Sequence, residues 1–128
     1  MIPIQKDVPS NTATPEAARR LVRDELDGWD GPEVVDDAVL LVSELVTDAI
    51  VQPHAAPPTV AIAKTDEQVR VEVHDPSSRP LLRTTKTDPS VPGGLGLGIV
   101  DDVSDRWGVI PDAHGKSVWF ELHARPAP

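Results

Sequence analysis

Proline governs what this chain can become. Fourteen prolines punctuate its 128 residues, and each fixes its own φ, lacks an N–H and biases the preceding residue away from helix. Regular elements are confined to the stretches between them. Thr14-Pro15-Glu16 has the order of an N-cap, a proline at the first helical position and an early acid. Ala18, Leu21, Val22, Leu26 and Trp29 follow at helical spacing, so a helix is predicted over 15–28. Gly31-Pro32 opens a second helix, VVDDAVLLVSELVTDAIV, whose apolar face comprises Val35, Ala38, Val39, Val42, Leu45, Val46, Ala49 and Ile50, and Pro53 stops it.

Beyond Pro58 the period changes to two. Thr59 to Ala63 alternates around Val60 and Ile62, Gln68 to Asp75 alternates around Val69, Val71 and Val73, and Thr65-Asp66-Glu67 makes the turn of a hairpin. Residues 76–92 keep no period and read as a long loop of the functional kind. Leu97, Val100 and Val103 mark a short helix from Gly94 to near Asp105. Two strands follow, around Trp107–Ile110 and Lys116–His123, joined by a turn at Pro111 to Gly115, and a short strand is expected near Ile2 to Lys6. Strand pairs alternating with lone helices predict an α+β two-layer sandwich, an antiparallel or mixed sheet with helices on one face. The length predicts one domain over 1–128, enough to bury about two-thirds of its unfolded surface.

Charge narrows the partners. A formal net charge of −9 opposes binding to nucleic acid or an anionic membrane, which demand clustered Lys and Arg. A basic face on a protein partner suits it better. No apolar run approaches the ~20 residues of a membrane span, the start MIPIQKDVPS lacks the pattern of a signal peptide, and there is no cysteine for a disulfide or thiolate site. These features are compatible with the cytoplasm.

Four of the eight glycines fall within VPGGLGLGIVDD. This is no Walker loop: Gly115-Lys116-Ser117 has Ile110 where the first glycine belongs. Nor is it a Rossmann fingerprint, since one starting at Gly94 would need its third glycine at Ile99. A glycine run before a helix exposes backbone N–H groups at the positive end of the helix dipole and suits a phosphate, although a plain hinge reads equally well from the residues alone. Arg79, Arg83 and Lys86 in the preceding loop could meet further phosphate charge or simply solvate the loop.

Three acids stand out. On the second helix Asp37, Glu44 and Asp48 lie together at one flank of the apolar stripe, beside Leu41, at a rim. They form either a solvated acidic edge or, with Glu44 and Asp48 four apart, the carboxylate side of a cation and phosphate site. Asp75 shares the inward face of Val69, Val71 and Val73 where the strand ends, so it is either a turn aspartate ahead of Pro76 or the acceptor for a ligand amino group.

In their order, Glu44-Leu-Val-Thr-Asp48-Ala, Val71-Glu-Val-His-Asp75, Gly93-Gly-Leu-Gly-Leu-Gly-Ile-Val, Asp105-Arg-Trp-Gly and Gly115-Lys-Ser-Val-Trp-Phe-Glu-Leu resemble the histidine-kinase-like ATPase superfamily (GHKL, or Bergerat fold). The likeness runs from about residue 14 to 122 and is greatest to the small anti-sigma-factor serine kinases of bacterial partner-switching systems. It implies ATP held between helices and sheet under a mobile lid spanning Pro76 to Gly93.

The resemblance makes Glu44 the general base and Asp75 the acceptor of the adenine amino group. Gly94, Leu95, Gly96, Leu97 and Gly98 become the glycine box beneath the phosphates, with Leu97 and Ile99 packing near the pocket. Lys116 or Ser117 lies where the family often has a threonine near the nucleotide. Asp48 stands where the family has its magnesium-coordinating asparagine, Ser77 where a glycine is common, and Pro92 where a basic lid residue can occur. The implied protein is a cytoplasmic, ATP- and Mg²⁺-dependent anti-sigma factor that phosphorylates a serine of a STAS-type anti-anti-sigma partner. Small kinases of this kind often form homodimers. The alternative is a module of the same fold that has lost phosphoryl transfer and acts by sequestering its protein partner.

Overall fold

The computed structural model describes residues 4–8, 14–29, 31–50, 58–76 and 94–124. Its first helix, α1 (Pro15–Glu25), is capped as the sequence predicts, with the Thr14 side chain accepting from the Ala17 N–H at 3.1 Å. It ends at Glu25, short of the expected residue 28, because the chain turns through Gly28 at φ +78, a left-handed conformation that glycine adopts without penalty. The Trp29 N–H returns to the Leu26 carbonyl at 3.0 Å, and the Trp29 indole donates to the Thr65 carbonyl at 2.8 Å, tying this turn to the sheet.

The second helix, α2 (Pro32–Ile50), buries Val34, Ala38, Leu41, Val42, Leu45, Val46 and Ala49 along with Val39. Its buried stripe is rotated toward Leu41, which is 0% exposed, whereas Ile50 is 43% exposed and Val35 is half-buried. Ile50, expected inside, lies beyond the far edge of the stripe, since at 3.6 residues per turn it falls opposite Leu41, whereas Val35 keeps the expected facing and packs, partly buried, against the core near the start of the helix.

Among the described residues five strands form one antiparallel sheet: β1 (Ile4–Val8), β2 (Thr59–Lys64), β3 (Gln68–Asp75), β4 (Arg106–Asp112) and β5 (Gly115–His123), in the order β1-β2-β3-β5-β4. The β2–β3 turn closes as predicted: the Thr65 hydroxyl accepts from Glu67 and Gln68 N–H groups at 3.1 Å each. Helix α3 (Gly94–Val103) precedes β4. Strand β1 lies two residues later than expected. Strand β4 extends through Pro111, which the sequence reading gave to the turn. Its position on an edge strand explains this, since a missing N–H costs no ladder bond there.

The three helices of the described residues pack on one face of the sheet, giving the predicted α+β two-layer arrangement. The core between the layers joins Val22 and Leu26 of α1, the α2 stripe, Val100 of α3 and the inward rows Val60–Ile62, Val69–Val71–Val73 and Val118–Phe120–Leu122. Each such side chain contributes about 1.5–3 kcal/mol on burial. Among the described residues no helix is long and apolar enough to cross a membrane. Residues 77–93, with the expected lid and with Ser77, Arg79, Arg83, Lys86, Pro92 and Gly93, lie outside the described residues, as does Pro53.

Candidate functional site

Strict alternation along β3 puts every second residue inside, and the row Val69, Val71, Val73 is continued by Asp75, which is buried. The facing row on β5 is Leu122, Phe120, Val118 and then Lys116, also buried. The register pairs Asp75 with Lys116, and the Lys116 Nζ lies 3.2 Å from the Asp75 Oδ2. Two aliphatic rows thus terminate together in one ion pair.

Gly115 fixes this register. Its φ is +145, and a Cβ there would fall 2.1 Å from the Asp75 carbonyl oxygen and 2.8 Å from the Pro76 Cα. Only glycine lets the start of β5 approach the end of β3 this closely. The turn before it is closed by the Asp112 Oδ1, which accepts from the His114 N–H at 2.7 Å. That bond, helped by His74 Nε2 at 3.0 Å from the Asp112 Oδ2, holds the Asp112 carboxyl below its ordinary pKa of 3.8.

Ser117, offered with Lys116 as the residue near a nucleotide, belongs to the other face. It pairs in register with His74 in the outward row, so the structure brings Lys116, and not Ser117, to Asp75. The partnership of Lys116 and Asp75 is what sequence reasoning missed. Parity gave the facing of Asp75, but the match between two strands with a helix and another strand between them in sequence has no local signal.

On α2, Asp37, Glu44 and Asp48 are all half-buried beside buried Leu41 and Leu45. They occupy the rim expected of them. Ser43, next to Glu44, is fixed from α1 by the Arg19 Nη1 at 2.8 Å, and its carbonyl accepts from the Thr47 hydroxyl at 2.7 Å. Glu44 and Asp48 repel each other by roughly 0.2–0.5 kcal/mol in an isolated helix. Among the described residues no group of three or more acidic or histidine side chains is placed to hold a metal ion, so any magnesium here would draw ligands from phosphate oxygens and water as well.

The glycine run from Gly94 lies in the helix that the sequence predicts to start there. Gly94, Leu95, Gly96, Leu97 and Gly98 all lie in α3, whose backbone begins at Gly94. The first four N–H groups of an α-helix have no partner four residues back, so Gly94 to Leu97 present donors at the positive end of the helix dipole. Gly98 and Val100 are buried, and Ile99 packs against the core. Helix α2 packs against both α3 and β3 and also touches β5, so the element with the two acids adjoins those with the glycines and Asp75.

The remaining motifs are structural. The Asp105 Oδ2 accepts from the His123 N–H at 2.7 Å, the Asp105 N–H donates to the Glu121 carbonyl at 2.9 Å, and the Trp107 indole donates to the Asp101 Oδ1 at 2.9 Å. On the outer face Trp119 lies against Gly108, where a Cβ would come within 2.8 Å of its Nε1. Arg70 and Arg106 sit 4.1 and 5.7 Å from the Trp119 ring centre. Glu121, buried beside them, takes the Arg70 Nη1 at 3.2 Å and the Arg106 Nη1 at 3.5 Å. A shallow depression along Ala61, Ala63, Arg70 and Glu72 also opens on this outer face, on the opposite side of the sheet from Asp75.

The architecture has a solved counterpart. The crystal structure of the RsbU and RsbW domains of Rv1364c from Mycobacterium tuberculosis matches with a TM-score of 0.70 and 20% sequence identity, over 97% of this chain and 34% of that one. The chain therefore spans about a third of the length of that structure, and the two share a fold. No protein-family model matches the sequence, and no curated protein matches it either.

Proposed function

We propose that the chain is an ATP-binding regulator of the anti-sigma-factor type, a cytoplasmic domain that phosphorylates a serine on a STAS-type anti-anti-sigma partner and sequesters a sigma factor. The observation that carries this reading is the burial of Asp75 at the end of an apolar row, on a strand against which the acid-bearing helix α2 also packs. The shared fold with the RsbU and RsbW domains of Rv1364c supports it.

The residues present suit an adenine nucleotide. Asp75 accepts from the adenine amino group, and the N–H groups of Gly94 to Leu97 receive phosphate oxygens at the helix terminus. Asp48 offers a carboxylate oxygen to magnesium, whose other ligands are phosphate oxygens and water. ATP with Mg²⁺ supplies the transferable phosphoryl group. Glu44 would take the proton from the partner's serine hydroxyl, raising the nucleophilicity of that oxygen toward the γ-phosphorus; the serine O–P bond forms as the bond to the β–γ bridging oxygen breaks and ADP leaves.

Incubation with labelled ATP, Mg²⁺ and candidate anti-anti-sigma proteins tests the reading. Label on a partner serine, lost in Glu44→Gln, is the expected result. A stable complex with a partner and no transfer at any Mg²⁺ concentration would establish the second reading, a sequestering module, which the carboxylate at Asp48 favours by adding negative charge beside the phosphates.

A further inference from the structure

Strand β5 begins between two ion pairs, one on each face of the sheet. On the inward face Lys116 meets Asp75. On the outward face the His74 Nε2 lies 3.0 Å from the Asp112 Oδ2. His74 belongs to β3 and Asp112 to β4, and β5 runs between those two strands. The outer contact therefore straps across the first residues of β5, where Gly115, in register with Asp112, brings no side chain and Ser117 stands in register with His74. One short piece of chain, residues 112–117, is thus tied from both sides to the consecutive pair His74-Asp75.

The outer tie is built from the side chain that changes charge between about pH 5 and 8, imidazole. Among the described residues the groups around His74 are Asp112 from β4, His114 of the turn that Asp112 closes, uncharged Ser117 from β5 and Thr59 from β2, and Glu72 two residues back on its own strand, which accepts from the Arg70 Nη2 at 3.0 Å. Asp112 is held below its ordinary value of 3.8, first by the His114 N–H and further by His74, so it stays ionised wherever imidazole titrates.

We propose that His74 and Asp112 form a proton-operated clasp on the β4–β5 turn. The imidazolium draws the Asp112 carboxylate across β5 and holds the turn onto the end of β3. Loss of the proton leaves at most a neutral hydrogen bond where an ion pair stood, and the turn opens more readily. Because His74 directly precedes Asp75, the clasp sets from behind how firmly the register of Asp75 with Lys116 is kept. The attraction exists only while both partners are charged, so it is present on the acid side of neutrality and is lost as imidazole gives up its proton. The device stands whether or not the site takes a nucleotide.

A double-mutant cycle with His74→Gln and Asp112→Asn, read from urea unfolding of the full chain, isolates this pair from His114 and Glu72. At about pH 5.5 the coupling should favour the folded chain by roughly two- to fivefold in the unfolding equilibrium, the range for a partly exposed pair, and at about pH 8 it should shrink toward none. Amide protection of residues 113–117 in the wild type should fall by a similar factor over the same interval. His74→Gln should abolish that fall, although His114 still titrates beside the turn. Coupling of equal size at both pH values would reveal a plain hydrogen bond and overturn the proposal, as would its absence at the lower one. Protection at 113–117 that ignores pH, or that changes equally in His74→Gln, would overturn it too.

Discussion

Lys116 and Asp75 face each other across β3 and β5, ammonium to carboxylate at 3.2 Å, two register steps beyond the apolar pair Val73 and Val118 and on the same face. Removing one member takes from the other, which is buried, its facing counter-charge, and breaking a buried pair in this way typically costs about 3–5 kcal/mol. Asp75→Leu and Lys116→Leu should each lower the urea midpoint strongly. The double variant Asp75→Leu/Lys116→Leu should recover most of that loss, because two leucines extend rows that are already aliphatic. A double variant no more stable than the singles would mean that the pair is held by more than its mutual charge.

Nucleotide affinity should respond to Asp75 separately. Asp75→Asn keeps an acceptor oxygen and most of the packing, whereas Asp75→Ala removes the acceptor and should weaken ATP binding roughly tenfold or more. Calorimetry on variants shown to be folded by circular dichroism measures this. Equal ATP affinity in wild type and folded Asp75→Ala would take Asp75 out of the site.

Gly115→Ala should be among the most damaging single-methyl changes in the chain. It combines a φ of +145 with a Cβ 2.1 Å from a backbone oxygen, and neither can relax without parting β5 from the end of β3. A loss on the order of 1–3 kcal/mol or more is expected by thermal or urea unfolding. Gly28→Ala, where the same added atom meets nothing within 4 Å, should cost less and serves as the control.

At Asp48 the proposed function makes a prediction of its own. The carboxylate draws Mg²⁺ more strongly than an amide would, yet it repels the triphosphate and raises the proton affinity of Glu44 one turn away. Asp48→Asn should therefore weaken the Mg²⁺ dependence of ATP binding and speed any transfer to the partner serine. Identical Mg²⁺ titrations and transfer rates in the two proteins would return Asp48 to the role of a solvated rim acid.

Acid unfolding should carry a signature of the β4–β5 turn. The Asp112 carboxyl sits below its ordinary value of 3.8, chiefly through the His114 N–H and further through His74. A group depressed in the folded state gives stability that is fully present above its unfolded pKa and is lost as pH falls through the lower folded value. Asp112→Asn should lower the urea midpoint near neutrality, where the carboxylate's contribution is fully present, and flatten that part of the acid limb across a pH series. An identical acid limb would show that the turn does not sense this carboxyl.

How much of this was legible depended on whether the signal was local. The alternation Val69, Val71, Val73 gave β3 and the inward facing of Asp75, and Thr14-Pro15 gave the start of α1. The acids of α2 fell at the rim because helical phase is set by the residues beside them. Phase was less sure at the stripe's edges, so Leu41 proved fully buried and Ile50 exposed. Pro111 was misplaced because its tolerance in β4 depends on that strand being at an edge, a property of the whole sheet. The partner of Asp75 was hidden for the same reason, since strand register across a long connection is decided by packing and not by neighbours in sequence.

Pro111 has a bearing on how this molecule keeps company. An outermost strand is an open invitation for a stranger's backbone to zip alongside, the route by which β-proteins clump. Here the invitation is withdrawn: Arg106, Pro111 and Asp112 are all exposed on β4, so a newcomer would meet a missing donor and charges of both signs. Association with other proteins is thereby turned away from this border of the sheet and toward surfaces where side chains do the choosing.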